Sequence, residues 1–181
     1  MSDPEFEALA LDSLELDSSK EESQIMLVVM RRLNAAPRSR GELTKYLLGK
    51  EFSADAIRRV LERVEGMGYI DDAQFARDWV RSRHRSRGLA PSVLTRELLA
   101  KGIDLELIEA ALTDLSVEDS KERAYQLAEK KYRSLHSVEP SVAVRRIASL
   151  LQRKGYAPAL CFQIAKETVG ADLEFVGELS E

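Results

Sequence analysis

The sequence predicts an all-α protein built from three tandem three-helix repeats that form an elongated, curved array. Three observations carry that expectation. Nine Gly and five Pro in 181 residues are few turn residues for an all-β fold, and no window alternates apolar and polar residues with β-branched enrichment. Apolar residues instead recur at i, i+3 and i+4 between recognisable caps and breakers. Third, LTKYLLGKEFSADAIRRVL, LTRELLAKGIDLELIEAAL and IASLLQRKGYAPALCFQIA superimpose at offsets of 51 and 53 residues. In each, a Lys (Lys50, Lys101, Lys154) ends one helix, a hydrophobic residue (Phe52, Ile103, Tyr156) follows two positions later, and a new helix starts. Gly102 and Gly155 fill the slot between, where φ > 0 ends a helix without a Cβ penalty, and Glu51 breaks that slot in the first copy. One such unit has too little apolar surface for a large core, so neighbouring units are expected to stack.

Residues 1–22 mix acids with Leu and show no capped helical face; a disordered tail is the expectation, with an acidic-hydrophobic segment that docks on a partner or folds back on the basic body as the alternative. The first repeat, 23–67, opens with a buried helix over 24–34, stopped by Ala35-Ala36-Pro37 because the residue before Pro leaves the α region. Ser39 and Glu42 form a capping box for a second helix with Leu43, Tyr46 and Leu47 on one face. Ser53 caps a third with Ile57, Val60, Leu61 and Val64 inward, ended by Gly68 in the left-handed conformation with Tyr69 folding back on the helix.

The second repeat, 68–115, starts at Asp71, with Gln74 completing a capping box and Asp72 adding charge at the helix N-terminus. Phe75, Ala76, Trp79 and Val80 share its core face. Pro91 launches the next helix with Leu94, Leu98 and Leu99 inward, and Asp104 starts another with Leu107, Ile108, Ala111 and Leu112 inward. The third repeat, 116–169, has Ser116 as a cap, then Tyr125, Ala128, Tyr132 and Leu135, and helices over 140–154 and 158–169. An acidic tail, 170–181, closes the chain.

A lone Cys161 among Leu160, Ile164 and Ala165 reads as a small core residue; it leaves no intramolecular disulfide or cysteine zinc site, and suits a reducing cytoplasm. The acidic N-terminal stretch lacks the basic and apolar regions of a signal peptide, and no apolar run spans a bilayer, so a cytoplasmic protein with no membrane partner is expected. There is no Gly-rich phosphate loop, metal-ligand spacing or paired nucleophile and base, which argues against an enzyme, a cofactor or a metal.

Charge is unevenly placed. Residues 1–23 carry eight acids and one Lys, residues 167–181 five acids and no base, and the body between them has a net charge of +8. A basic body is suited to a polyanion. Its densest patch is Arg77, Arg81, Arg83, Arg85 and Arg87, with Arg77, Arg81 and Arg85 at i, i+4, i+8 about 200–280° around the helix from Phe75. Guanidinium groups suit bidentate contact with phosphate and carboxylate. Arg96, Lys101, Arg38 and Arg40 complete the set of candidate DNA or partner contacts.

GYIDDAQFARDWVRSR (68–83), RGLAPSVLTRELLAKGI (87–103) and RSRGELTKYLLGK (38–50) together resemble the RecX family, regulators of the RecA recombinase. The resemblance is strongest over 38–113 and extends to 169; Glu51 departs from it where a Gly is usual. It implies a non-enzymatic protein of three-helix repeats that binds RecA and RecA–DNA filaments, lodges in the filament groove and restrains ATP hydrolysis and strand exchange. Expected partners are RecA, the RecA–DNA filament and single-stranded DNA, with duplex DNA a further one, and the expected solution state is a monomer. The alternative is a helix-turn-helix-like regulator that reads duplex DNA.

Overall fold

The structure, a computed structural model, describes residues 4–135 and 138–178, with side chains over 18–135 and 138–170. Among these residues there are nine α-helices and no strand, in three groups of three: α1 Pro4–Ala35, α2 Arg40–Leu48 and α3 Ala54–Gly66; α4 Asp72–Arg87, α5 Pro91–Ala100 and α6 Leu105–Thr113; α7 Val117–Arg133, α8 Pro140–Arg153 and α9 Pro158–Glu178. The chain forms two compact units, residues 1–75 with 100–104, and residues 76–99 with 105–181. The middle repeat is thus divided between the units.

In the first unit the core is Ile25 and Val29 of α1, Leu43 and Leu47 of α2, Ile57, Val60, Leu61 and Val64 of α3, and Ile70. Ser39 caps α2 as expected, in a full capping box with Glu42. Ser53 caps α3. Gly68 takes φ 77° and the Tyr69 N–H donates to the Val64 carbonyl at 3.1 Å, the six-residue bond of a Schellman motif. The Tyr69 side chain is nevertheless exposed, and Ile70 supplies the buried contact instead.

The expected disorder of residues 1–22 is corrected at its C-terminal end. Ser18, Glu21 and Glu22 lie on α1, and their side chains bind α3. Arg59 donates to Glu22 at 2.6 Å and to Ser18 at 2.8 Å, Arg63 donates to Glu22 at 3.2 Å, and the Ser53 N–H and hydroxyl donate to Glu21 at 2.6 and 2.7 Å. Acids that read as a tail in one dimension neutralise a neighbouring helix in three. The hydrogen bond from Arg59 holds the Glu22 carboxyl below its usual range. The side chains of the remaining tail residues, 1–17 and 171–181, lie outside the described ones, although α9 itself continues past the expected end at Val169.

The second unit's main core joins Ala124 and Ala128 of α7, Ala143, Ile147 and Leu151 of α8, Cys161, Ile164, Ala165 and Val169 of α9, and Ala90. Leu94, Leu98, Ile108 and Ala111 are buried too, but Leu99 is 50% exposed, contrary to the sequence reading. Only Leu94 and Leu98, at i and i+4, share a face; Leu99 is turned about 100° away.

One joint occurs twice. In the first unit the Ser39 hydroxyl donates to the Lys101 carbonyl at 2.6 Å, and the start of α2 lies against the turn Ala100–Asp104 so closely that a Cβ on Gly41 would sit 2.7 Å from the Gly102 Cα. In the second unit the Ala90 N–H donates to the Lys154 carbonyl at 2.9 Å, the Ser92 hydroxyl to the Gly155 carbonyl at 2.6 Å, and a Cβ on Gly155 would strike Val93. The turns after α5 and α8 therefore need Gly for two reasons, positive φ (75° and 93°) and close approach. Glu51 takes the same left-handed turn at φ 64° but is exposed, so its Cβ has room and only the conformational cost of about 1–2 kcal/mol remains.

Candidate functional site

Asp71 starts α4 by accepting the Gln74 N–H at 2.8 Å. Asp72 works on another helix: its Oδ1 accepts the Arg40 N–H at 2.8 Å and so caps α2. Burial raises the Asp72 carboxyl, with Glu65 and Asp104 adding to the effect and the Arg40 N–H opposing it. The two acids are consumed by capping.

Beyond Val80 the helix buries nothing large, and its arginines separate. Arg81, Arg85 and Arg87 are exposed, while Arg77 and Arg83 are half-buried. Arg81 meets Asp78 at 3.9 Å, a loose exposed pair that contributes little. The Arg83 guanidinium lies 4.1 Å from the centre of the Trp79 ring, and the Trp79 Nε1–H donates to Glu97 on α5 at 2.8 Å. Trp79, read from sequence as core, is half-buried and acts as the platform that fixes Arg83 and ties α4 to α5. His84 donates through Nδ1 to the Leu89 carbonyl at 3.0 Å, and among the described residues no three His, Cys, Asp or Glu side chains are grouped to hold a metal.

Arg77, Arg81 and Arg85 share a hollow of about 230 Å³ with apolar Val80, Ala111 and Leu115 and with Asp114 and Asp119. Sequence wheels show only acids on the same helix and missed these two. The series therefore borders a mixed surface, part cationic, part apolar, with two carboxylates at its edge.

The other expected contacts divide. Arg96 on α5 is exposed. Lys101 is not free: its ammonium donates to Glu42 at 2.6 Å and lies 5.5 Å from the Phe75 ring centre. Burial pushes the Glu42 carboxyl up, but bonds from Lys101 and the Ser39 N–H outweigh it and hold the carboxyl below its usual value. Arg38 approaches the same Glu42 at 3.9 Å, and Arg40 pairs with Glu65. These three cations serve the first unit's packing, while Arg81, Arg85, Arg87 and Arg96 are exposed and Arg83 lies half-buried against Trp79. Sequence reasoning passed over Lys131, Arg145, Arg146 and Arg153, which line a separate hollow on α7 and α8; the available signal was Arg145 and Arg153 eight residues apart on the polar side of α8.

No helix among the described residues is long and apolar enough to cross a membrane. Models of the first, second and third three-helix domains of RecX match residues 27–63, 71–112 and 118–164. The chain is 35% identical over 158 residues to the regulatory protein RecX of Streptomyces coelicolor, covering 86% of this chain and 84% of that one. It is 36% identical over 145 residues to the regulatory protein RecX of Thermobifida fusca, covering 80% and 78%. The crystal structure of RecX from Lactobacillus salivarius shares the fold with a TM-score of 0.73 at 23% identity, over 83% of this chain and 97% of that one. Three domains matched in order, each on one of the observed helix triplets, and identity above a third across most of two relatives place the chain in the RecX family of regulatory proteins.

Proposed function

We propose that this protein binds RecA and RecA–DNA filaments in the cytoplasm and restrains RecA's ATP hydrolysis and strand exchange, lodging in the filament groove through the basic side of α4 and α5 without catalysing a reaction itself. The observation that carries the reading is the arginine series on α4: Arg81 and Arg85 lie on the side away from the buried Ala76 and Val80, and Arg83 and Arg87 continue the series beyond Val80, the last buried residue of the helix. A filament groove offers phosphates beside acidic and apolar protein surface, and the hollow beside this series presents Arg81 and Arg85 to such anions and Val80, Ala111 and Leu115 to the apolar part, with Asp114 and Asp119 at its edge. Base readout by α4 is less well supported: its first turn carries Asp71 and Asp72, which repel phosphate where a recognition helix places its reading residues.

The test is the rate of ATP hydrolysis by RecA on single-stranded DNA. The wild-type chain is expected to lower it, and Arg81→Ala/Arg85→Ala/Arg87→Ala to lose most of that effect while keeping its helical circular dichroism. No change in the rate with wild-type protein across a wide concentration range refutes the reading.

A further inference from the structure

We infer that the hollow between α7 and α8 is a second nucleic-acid site, in which Lys131, Arg145, Arg146 and Arg153, with the Ser149 hydroxyl, hold consecutive backbone phosphates. The hollow has a volume of about 460 Å³ and is lined by these five residues. Lys131 comes from α7 and the other four from α8, so two packed helices converge on it. Helix α8 buries Ala143, Ile147, Ala148 and Leu151. Its basic residues and Ser149 lie about 160–260° around the helix from Ile147, on the side away from that core. Arg145, Arg146 and Arg153 are exposed.

Charge separates this hollow from the one beside α4. None of the four cations makes an ion pair with a described acid, and the acids nearest in sequence are otherwise engaged. Glu129 pairs with Arg133 at 3.4 Å, and Glu139 caps α8, accepting the Val142 N–H at 3.1 Å and the Ser141 hydroxyl. Glu139 is close enough to Arg145 for their charges to interact, but it leaves Lys131, Arg146 and Arg153 without an acidic partner among the described residues, and neighbouring cations of this kind concentrate anions.

The shape of the group selects the anion. Arg145, Ser149 and Arg153 at i, i+4 and i+8 form a row with steps of about 6 Å along one helix face, with Arg146 and Lys131 flanking it. A row of donors matches a chain of evenly spaced anions. A protein partner would be anchored by an aromatic or aliphatic side chain in an apolar socket, and this hollow has none. Contacts to phosphate also draw on counterion release, which a cationic hollow of this kind maximises. The inference shares with the reading above only the expectation of nucleic acid as a ligand, and it requires no recombinase.

The experiment is fluorescence anisotropy with a labelled single-stranded oligonucleotide and, separately, its duplex, across a salt series and without RecA. Arg145→Ala/Arg146→Ala/Arg153→Ala is expected to weaken single-strand binding at least tenfold at low salt and to lower the log-log salt slope by about 2, near 0.7 per lost phosphate contact. Duplex binding should weaken as well, because the contacts are to backbone. Arg145→Lys/Arg146→Lys/Arg153→Lys should keep most of the slope, which separates loss of charge from loss of fold. The inference is overturned if the Ala variant binds both DNAs as the wild type does, or if the wild type binds neither. It is equally overturned if the Ala variant keeps DNA binding and loses only the restraint on RecA's ATPase, since the hollow would then hold an acidic protein surface. That last result would leave the proposed function standing, whereas a wild-type chain that does not lower RecA's ATPase, with DNA binding still lost in the Ala variant, would refute the proposed function and leave this site in place.

Discussion

Replacing Gly41 by Ala sets two effects of known sign against each other. Gly41 is the second residue of α2, and Ala at a helical position is favoured over Gly by up to about 1 kcal/mol. The new Cβ, however, would lie 2.6 Å from the Lys101 carbonyl oxygen and 2.7 Å from the Gly102 Cα, both backbone atoms that no rotamer can move. Relief requires the start of α2 and the turn Ala100–Asp104 to separate. Separation strains the bond from the Ser39 hydroxyl to the Lys101 carbonyl and the pair between Lys101 and Glu42. Overpacking costs about 1–3 kcal/mol and a strained hydrogen bond about 1 kcal/mol, so Gly41→Ala is expected to destabilise by about 1–3 kcal/mol after the helical gain. Gly66→Ala is the control, because a Cβ there meets nothing within 4 Å; it should be neutral or stabilising by up to about 1 kcal/mol. Urea unfolding followed by circular dichroism gives the sign, and hydrogen exchange gives the place, with protection lost first at the N-terminus of α2 and at Gly102. A Gly41→Ala protein as stable as the wild type would refute the close approach and the joint built on it.

Two further outcomes follow from the same side chains. Trp79→Phe keeps a ring under Arg83 but removes the indole N–H that reaches Glu97, and should cost about 1 kcal/mol in urea unfolding, whereas Trp79→Ala should cost about 2–4 kcal/mol because the half-buried ring is lost too; equal costs would show that the bond to Glu97 contributes everything. Glu42→Gln should cost about 1–3 kcal/mol at neutral pH through loss of the Lys101 pair. Since the folded Glu42 carboxyl lies below its ordinary value of 4.5, its contribution is fully present above that value and disappears as pH falls through the folded one, so wild type and variant should converge in acid; a gap that stays constant below pH 4.5 would be the contrary result.

Most of the fold was legible because it is written in local signals. The Ser39–Glu42 capping box, the Ser53 cap, the Gly68 turn and the i, i+3, i+4 face of α3 are each decided within one helical turn of sequence, and each is present. What escaped was decided between segments. Glu22 reads as tail acid until α3 presents Arg59 and Arg63 to it, and Asp72 reads as charge at the start of its own helix until the Arg40 N–H of α2 is brought to it. The candidate site fared the same way. A helix wheel places Arg77, Arg81 and Arg85 away from the core, but Asp114 and Asp119, which share their hollow, belong to the link between α6 and α7 and to α7 itself. Lys101 looked like a free cation at a helix end because Glu42, its partner, lies 59 positions earlier.

The recurrent Lys-Gly-hydrophobic signature then acquires a different physical meaning from the one a single helix suggests. As local punctuation, Lys satisfies carbonyls, Gly reverses the chain and the apolar residue folds back, and any one copy would do this alone. Glu51 shows that the reversal itself tolerates a side chain, since it turns at φ 64° without Gly. Gly at 102 and 155 is therefore demanded by what the turn receives: the N-terminus of α2 in one unit and that of α5 in the other, each delivering a hydrogen bond to the carbonyl of Lys101 or Lys154. On this argument Glu51→Gly should be close to neutral, gaining the conformational cost of a left-handed Glu and losing about as much to the greater freedom of unfolded Gly. Gly102→Ala must absorb both the positive φ and a Cβ 2.9 Å from the Gly41 Cα, and the difference between the two substitutions in one unfolding assay measures how much of the signature belongs to the turn and how much to the joint.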